Sequence, residues 1–224
     1  MFPGFAGVLL IWTGCLFDTG HTPPAILFVG NSITAHLPLP EVGWMQKNGM
    51  AATDPDSDYV HRTLRYLEAK GVPARAEYGL RDCDGCSGVF EEHRGNFEAI
   101  MDRIRPRWAV VQLGENLIDF RADAPTTLEF RALLLELRKG GTFPIFCITA
   151  WGNASLEDPQ NRTLQSAMRG IPKVHLVDIT SAAADPANYG DSSVYWNAAV
   201  QWHPGNRGMD AIAAILADSL AAHP

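Results

Sequence analysis

Three polar residues, far apart in the chain, have the types and settings that acyl transfer needs. Ser32 follows the apolar run 25–29 in the stretch Gly-Asn-Ser-Ile-Thr at 30–34. His203 precedes a proline near the C-terminus, and Asn116 follows a third apolar run. A serine hydroxyl attacks an acyl carbon only with a base in hydrogen-bond reach and with donors for the developing oxyanion. We therefore assign Ser32 as candidate nucleophile, His203 as candidate base and Asn116 as candidate oxyanion donor.

Alternating strand-like and helix-like segments would bring these residues together. Runs with the length and the β-branched or aromatic content of buried strands lie at 26–29, 74–78, 108–113, 143–150 and 174–179. Helical patterns lie at 58–69 and at 97–104. A third pattern follows a capping box formed by Thr126 and Glu129, and a fourth begins at Asn206. This alternation predicts an α/β fold with a parallel sheet covered by helices on both faces. Because parallel strands end at one edge, Ser32, Asn116 and His203 should meet there.

The same residues resemble the SGNH hydrolases, also called the GDSL esterase/lipase superfamily. The first block of that family, Gly-Asp-Ser, is similar to Gly-Asn-Ser at 30–32, and the third, Gly-x-Asn, is similar to Gly-Glu-Asn at 114–116. The last block is similar to His203-Pro204 ahead of a terminal helix. The resemblance implies a flavodoxin-like, three-layer α/β/α sandwich with a five-stranded, mainly parallel sheet. It also implies a serine esterase that uses no cofactor and no metal.

The resemblance assigns a role to each matching position. Ser32 would attack the acyl carbon, and His203 would act first as base and then as acid. The oxyanion hole would consist of the Ser32 backbone N–H, the Asn116 side-chain amide and a backbone N–H from the second block. Two glycines compete for that last place, Gly85 and Gly88, and the distance from Asn116 favours Gly88.

One departure from the family pattern concerns the acid that orients the base. The family usually has an aspartate three residues before the histidine, where this chain has Val200. Another carboxylate or a carbonyl oxygen can fix the imidazole tautomer instead. Glu115, which neighbours Asn116 on the active edge, is the preferred substitute. Three other acids remain open as alternatives: Glu91, Glu92 and Asp191.

The residues after the nucleophile predict a carbohydrate substrate. A long loop follows Ser32, and long loops in compact domains often bind ligands. We expect His36 and Trp44 from this loop, and Trp202 beside the base, to contact substrate, because indole faces stack on sugar rings. The alternative is that these tryptophans close the rim of the core. The motifs also resemble a carbohydrate-esterase branch of the superfamily.

The preferred function is therefore hydrolysis of a small acyl ester, acetyl above all, on a carbohydrate. Alternatives on the same scaffold are a lysophospholipase, a thioesterase or an arylesterase. A carbohydrate O-acetyltransferase would use the same acyl-enzyme, and a non-catalytic carbohydrate-binding module would have kept only the fold.

Composition limits the remaining possibilities. With 224 residues, 46% of them hydrophobic, the chain can bury one core, and we expect a single domain over 25–224. A net charge of −7 with scattered basic residues argues against nucleic acid as a partner. Residues 1–24 form an apolar segment and a linker, which favour export to the periplasm or medium. The segment is short for a membrane span. The alternative to export is a cytoplasmic protein in which this segment is an arm packed on the domain.

Overall fold

A parallel five-stranded sheet forms the centre of the molecule. The computed structural model describes residues 22–80, 101–115 and 125–223. The strands are β1 Ala25–Gly30, β2 Arg75–Leu80, β3 Trp108–Gln112, β4 Ile145–Ile148 and β5 Val174–Val177. Their order is β2-β1-β3-β4-β5, and every neighbouring pair is parallel. The predicted α/β class and the five predicted strands are confirmed.

Helices occupy the segments between the strands. In chain order they are α1 Tyr59–Ala69, α2 Pro125–Lys139, α3 Pro159–Met168, α4 Thr180–Ala183, α5 Ala198–Gln201 and α6 Asn206–Ala221. Short 3-10 turns lie at Pro40–Val42, Pro55–Ser57 and Pro186–Asn188. The predicted helices at 58–69 and from Asn206 are confirmed. Of the segment 97–104, residues 101–104 lie in the described part and are helical. The pattern at 159–168 was not predicted as a helix.

The two faces of the sheet bury separate cores because side chains alternate along each strand. Phe28 of β1 and Phe146 of β4 face the layer that contains α1 and α6. Leu27 of β1 and Cys147 of β4 face the opposite layer, which contains α2 and α3. Strands that are buried on both faces explain the nearly continuous apolar runs in the sequence.

The strand order creates a switch point at the carboxyl edge. After β1 the chain builds β2 on one side, and it then crosses to place β3 on the other side of β1. In open α/β sheets, ligands bind at the carboxyl edge where such a reversal occurs. Ser32 follows β1 and Glu115 follows β3, so both flank this point.

Several predictions concern residues outside the described ranges. They include the N-terminal segment up to residue 21, the second-block glycines 85 and 88, and the alternative acids Glu91 and Glu92, and these stay predictions. Cys147 lies in the described part and is a buried free thiol, as expected for a small core residue. Within the described ranges, no helix has both the length and the apolar character that crossing a bilayer requires.

Candidate active site

A tight turn after β1 presents Ser32, the candidate nucleophile. The N–H groups of Thr34 and Ala35 both donate to the carbonyl oxygen of Asn31, at 2.9 Å each. A Cβ atom at Gly30 would lie 1.8 Å from Oγ1 of Thr34, so only glycine lets the turn close this tightly. The turn therefore lifts Ser32 from the end of a buried strand.

His203 approaches the nucleophile from the loop before α6. Its Nε2 lies 2.8 Å from Oγ of Ser32, across 171 residues of sequence. The loop is fixed on the other side, because Gly190 N–H donates to the His203 carbonyl oxygen at 2.8 Å. The structure thus brings the predicted nucleophile and the predicted base into direct contact.

The second imidazole nitrogen bonds to the backbone. Nδ1 of His203 lies 2.7 Å from the carbonyl oxygen of Ala199. A carbonyl oxygen only accepts, so Nδ1 carries the proton and Nε2 is free to accept the Ser32 hydroxyl proton. Ala199 belongs to α5, a single helical turn whose last carbonyl groups have no partner within the helix. His203 satisfies one of these carbonyls while it is held in the tautomer that a base needs.

An asparagine fixes the helical turn that carries this carbonyl. Asn197 is the N-cap of α5, and its Oδ1 accepts from the Ala199 N–H at 2.8 Å. Ala199, which lies one helical turn before His203 in the chain and whose carbonyl holds the imidazole, is therefore itself held in place by Asn197. The sequence analysis missed Asn197, although an asparagine directly before an apolar run is a typical N-cap signal.

Val200 turns away from the base. Its side chain is fully buried in a small apolar cluster with Trp44, Met50, Ala51 and Tyr195. The position where the SGNH pattern has an aspartate therefore serves packing here, and the adjacent backbone supplies the acceptor for Nδ1.

Burial weakens His203 as a base. Only 8% of the residue is exposed, and this desolvation lowers its pKa to about 4. The hydrogen bond from Nδ1 to Ala199 acts in the opposite direction, and the nearby charge of His36 lowers the pKa further. The imidazole is consequently neutral, and able to accept a proton, over most of the pH range in which proteins work.

Glu115 does not hold the imidazole, contrary to the sequence prediction. Its Oε1 accepts instead from the backbone N–H of Trp151 at 2.6 Å and from Nε2 of Gln112 at 2.5 Å. The carboxylate thus ties the segment after β3 to the segment after β4, and burial raises its pKa to about 7. The acceptor for Nδ1 is the nearer carbonyl of Ala199, which leaves no donor on the imidazole for this carboxylate.

The predicted substrate contacts differ in exposure. Trp202 is 40% exposed, and its ring packs edge-on against His203 with the ring centres 5.3 Å apart. His36 is half-buried and close enough to affect the pKa of His203. Trp44 is fully buried, so the prediction that it contacts substrate is wrong. Its loop folds back through a bridge between Leu39 and Trp44, which turns the indole into the core.

The remaining predicted oxyanion donors lie outside the described residues. These are Asn116 and Gly88, while the third donor, the Ser32 backbone N–H, has no acceptor within the described ranges. Among the described residues there is also no group of three or more His, Cys, Asp or Glu side chains that could hold a metal ion.

Comparison with solved structures identifies the fold. The psychrotrophic esterase EstA from Pseudoalteromonas sp. is 14% identical, with 88% of this chain and 97% of the esterase covered at a TM-score of 0.59. A family 3 carbohydrate esterase from Clostridium thermocellum is 13% identical, with 90% and 98% covered at a TM-score of 0.59. The chain has the SGNH hydrolase fold. The predicted three-layer sandwich is confirmed.

A third structure is larger than this chain. It is a two-domain esterase active on acetylated mannans, co-crystallised with mannopentaose. It is 12% identical at a TM-score of 0.57, and the match covers 89% of this chain and 49% of that protein. No protein-family model and no curated protein sequence matches the chain. At such identities the likeness concerns the fold, so the roles of individual residues depend on the geometry described above.

Proposed function

We propose that the protein is a serine esterase that removes a small acyl group, acetyl above all, from a carbohydrate. The observation that carries this proposal is the 2.8 Å contact between Oγ of Ser32 and Nε2 of His203. Nδ1 is occupied by the Ala199 carbonyl, so Nε2 is the nitrogen left to accept the hydroxyl proton. A serine and a base in this arrangement at the carboxyl edge are suited to acyl transfer.

The dyad accounts for both halves of the reaction. Oγ of Ser32 bonds to the acyl carbon while its proton passes to Nε2 of His203, and the carbonyl electron pair moves onto oxygen. The tetrahedral species collapses as Nε2 returns the proton to the departing sugar oxygen, which leaves an acyl-enzyme. Water then repeats the sequence, losing a proton to Nε2 and releasing the acid and the free serine.

The oxyanion forms beside the turn that carries the nucleophile. The Ser32 backbone N–H, the Asn116 side-chain amide and the Gly88 N–H are the proposed donors. Each such donor typically stabilises the transition state by about 3 kcal/mol. Glu115 supports this arrangement as a positioning residue, because it fixes the backbone directly before Asn116 to that of Trp151.

Two observations support a carbohydrate as the alcohol part of the ester. The half-exposed Trp202 indole lies against the base, where it can cover an apolar face of a sugar. Two of the proteins with the same fold are a family 3 carbohydrate esterase and an esterase active on acetylated mannans.

Acetate release tests the proposal. Acetylated xylan, acetylated mannan and p-nitrophenyl esters of increasing chain length are compared, with wild-type, Ser32→Ala and His203→Ala proteins. We expect acetate from at least one polysaccharide, preference for the shortest p-nitrophenyl ester and no turnover by either variant. Ser219→Ala is the matched control, since among the described residues that hydroxyl donates only to the Ile215 carbonyl oxygen within α6. Preference for long acyl chains without acetate release would contradict the carbohydrate assignment.

A further inference from the structure

A cavity of about 330 Å³ opens beside the nucleophile turn, on the side of β2. It is separate from the Ser32–His203 contact, and neither of those residues lines it. Its walls include Ala35, Lys47, Asn48, Asp58, His61 and Tyr78. Its volume lies at the lower end of the range for small-molecule sites in proteins.

Hydrogen bonds tie the wall of this cavity to the catalytic turn. Met50 N–H donates to the Ser32 carbonyl oxygen at 2.7 Å, and His36 N–H donates to the Asn48 carbonyl oxygen at 3.1 Å. Ala35 is three residues after Ser32 in the same tight turn, and positions so related lie within roughly 7 Å of each other. A ring held in the cavity would therefore lie beside the turn that carries Ser32.

A buried carboxylate forms part of the wall. Asp58 is 1% exposed, and Oδ1 alone accepts both bonds that the structure shows, from the N–H and from Nδ1 of His61, at 2.8 Å each. Oδ2 accepts no hydrogen bond within the described ranges. Capping α1 needs only one oxygen, so this role leaves the second acceptor unexplained. A buried carboxylate oxygen gains free energy from a donor that a ligand brings.

Two further side chains add fixed polar and aromatic surface. Nδ2 of Asn48 donates to the carbonyl oxygens of Ala52 at 3.3 Å and Asp54 at 3.2 Å, which fixes the amide. Its Oδ1 is buried, so Asn48 contributes a fixed wall and not an accessible acceptor. Tyr78 packs against Phe28 with the ring centres 6.3 Å apart, so its ring is also held in place.

We propose that this cavity binds a neutral pyranose ring of the ester substrate, with Asp58, His61 and Tyr78 as its contacts. The inference rests on the proposed esterase function. A pyranose has hydroxyl groups that donate and accept, together with an apolar face of C–H groups. Oδ2 of Asp58 and Nε2 of His61, whose Nδ1 already donates to Asp58, supply acceptors, the phenol of Tyr78 supplies a donor, and the Tyr78 ring supplies an apolar wall. The Asp58 carboxylate and the Lys47 ammonium give the wall one charge of each sign, so it has no net charge that would select an acidic sugar.

Direct binding tests the cavity without any catalysis. Methyl glycosides of mannose, glucose, galactose and xylose are titrated into Ser32→Ala protein and followed by amide chemical shifts. We expect at least one glycoside to bind, with shifts concentrated at residues 35, 47–48, 58–61 and 78. Asp58→Asn keeps a good N-cap but removes the charge from the hydrogen bond to the ligand, so we expect Kd to rise about tenfold or more.

Matched controls separate the cavity from general effects on the fold. Tyr78→Phe and His61→Gln should also weaken binding, whereas Tyr66→Phe and Glu68→Gln, on the part of α1 away from the cavity, should not. Binding of none of the four glycosides, or equal affinity in Asp58→Asn, Tyr78→Phe and His61→Gln, would overturn the proposal. Stronger binding of galacturonic acid than of every neutral glycoside would overturn the assignment of a neutral ring.

Kinetics distinguish failure of the cavity from failure of the esterase proposal. The ratio of kcat/KM for a monoacetylated methyl glycoside to kcat/KM for p-nitrophenyl acetate should fall about tenfold in Asp58→Asn, in line with the loss of binding. An unchanged ratio with both substrates turned over would refute the sugar site alone. Absence of turnover of either substrate, with glycoside binding intact, would refute the esterase alone.

Discussion

Nδ1 of His203 donates to the carbonyl oxygen of Ala199 at 2.7 Å, one helical turn earlier in the chain. This bond does the orienting work that a carboxylate does in a Ser-His-Asp triad, because it fixes the tautomer with a free Nε2. A neutral carbonyl stabilises a developing imidazolium less than a carboxylate does. The base is therefore well oriented, and it is weak chiefly because burial of the imidazole lowers its pKa.

Asn197 should affect catalysis although it touches neither Ser32 nor His203. Its Oδ1 caps the turn at the Ala199 N–H, so Asn197→Ala should loosen the carbonyl that holds Nδ1. We expect the free energy of unfolding to fall by about 1 kcal/mol in urea titrations. We also expect kcat for p-nitrophenyl acetate to fall several-fold, with Asn197→Asp restoring it. A stability loss with wild-type kcat would show that the cap does not position the base.

Glu115 should tolerate loss of its charge but not loss of its oxygen. Glu115→Gln keeps an acceptor for the Trp151 N–H, so we expect most of the wild-type kcat. Glu115→Ala removes the acceptor beside Asn116, and we expect a fall of about tenfold or more, since a lost oxyanion donor costs roughly 100-fold. Steady-state kinetics on the three proteins check this. An equal and large loss in Glu115→Gln would instead mean that its carboxylate acts on the base.

The acid limb of the pH profile should lie unusually low. The catalytic form of His203 is neutral, and burial lowers its pKa to about 4, so kcat/KM for p-nitrophenyl acetate should fall only as the pH drops towards 4. The Glu115→Gln protein is the better one to measure, because the Glu115 carboxyl has a pKa of about 7. His36→Gln should move the limb upward, since it removes a charge that depresses the pKa. A limb at the ordinary histidine value of about 6.5 in folded protein would contradict the account.

The two tryptophans near the site should respond in opposite ways. Trp44 is fully buried, so Trp44→Ala should lower the free energy of unfolding by about 3–5 kcal/mol. Trp202 is 40% exposed beside the base, so Trp202→Ala should raise KM for an acetylated glycoside at a smaller cost in stability. Urea titrations and substrate kinetics on both variants check the contrast. A selective KM effect in folded Trp44→Ala would contradict the burial of that side chain.

The sequence was sufficient to predict the sheet and the contact between the candidate nucleophile and the candidate base. Strands that are buried on both faces leave continuous apolar runs, and a glycine-serine turn directly after one of them marks the carboxyl edge. Ser32 and His203 could therefore be assigned from types and order alone. Helix α3 was missed because its buried face contains Asn161 and Thr163, whose polarity masks the helical pattern.

The site features that the sequence did not predict depend on backbone groups and on the paths of loops. A carbonyl such as that of Ala199 has no sequence signal, since every residue has one, so only the fold could select it over the open carboxylate alternatives. Trp44 was misassigned because its loop returns to the core through Gly43, which has a φ of +77° and is covered by the indole of Trp196. Length alone could not separate an inward loop from a substrate-facing one.

Covalent labelling tests the central claim, an activated serine at position 32, most directly. A fluorophosphonate is incubated with the wild-type, Ser32→Ala, His203→Ala and Ser219→Ala proteins, and the modified peptide is located by mass spectrometry. The account predicts one adduct, on Ser32, in the wild-type and Ser219→Ala proteins, and none in Ser32→Ala or His203→Ala. Folded wild-type protein without an adduct on Ser32, or equal labelling of His203→Ala, would contradict the Ser32–His203 mechanism.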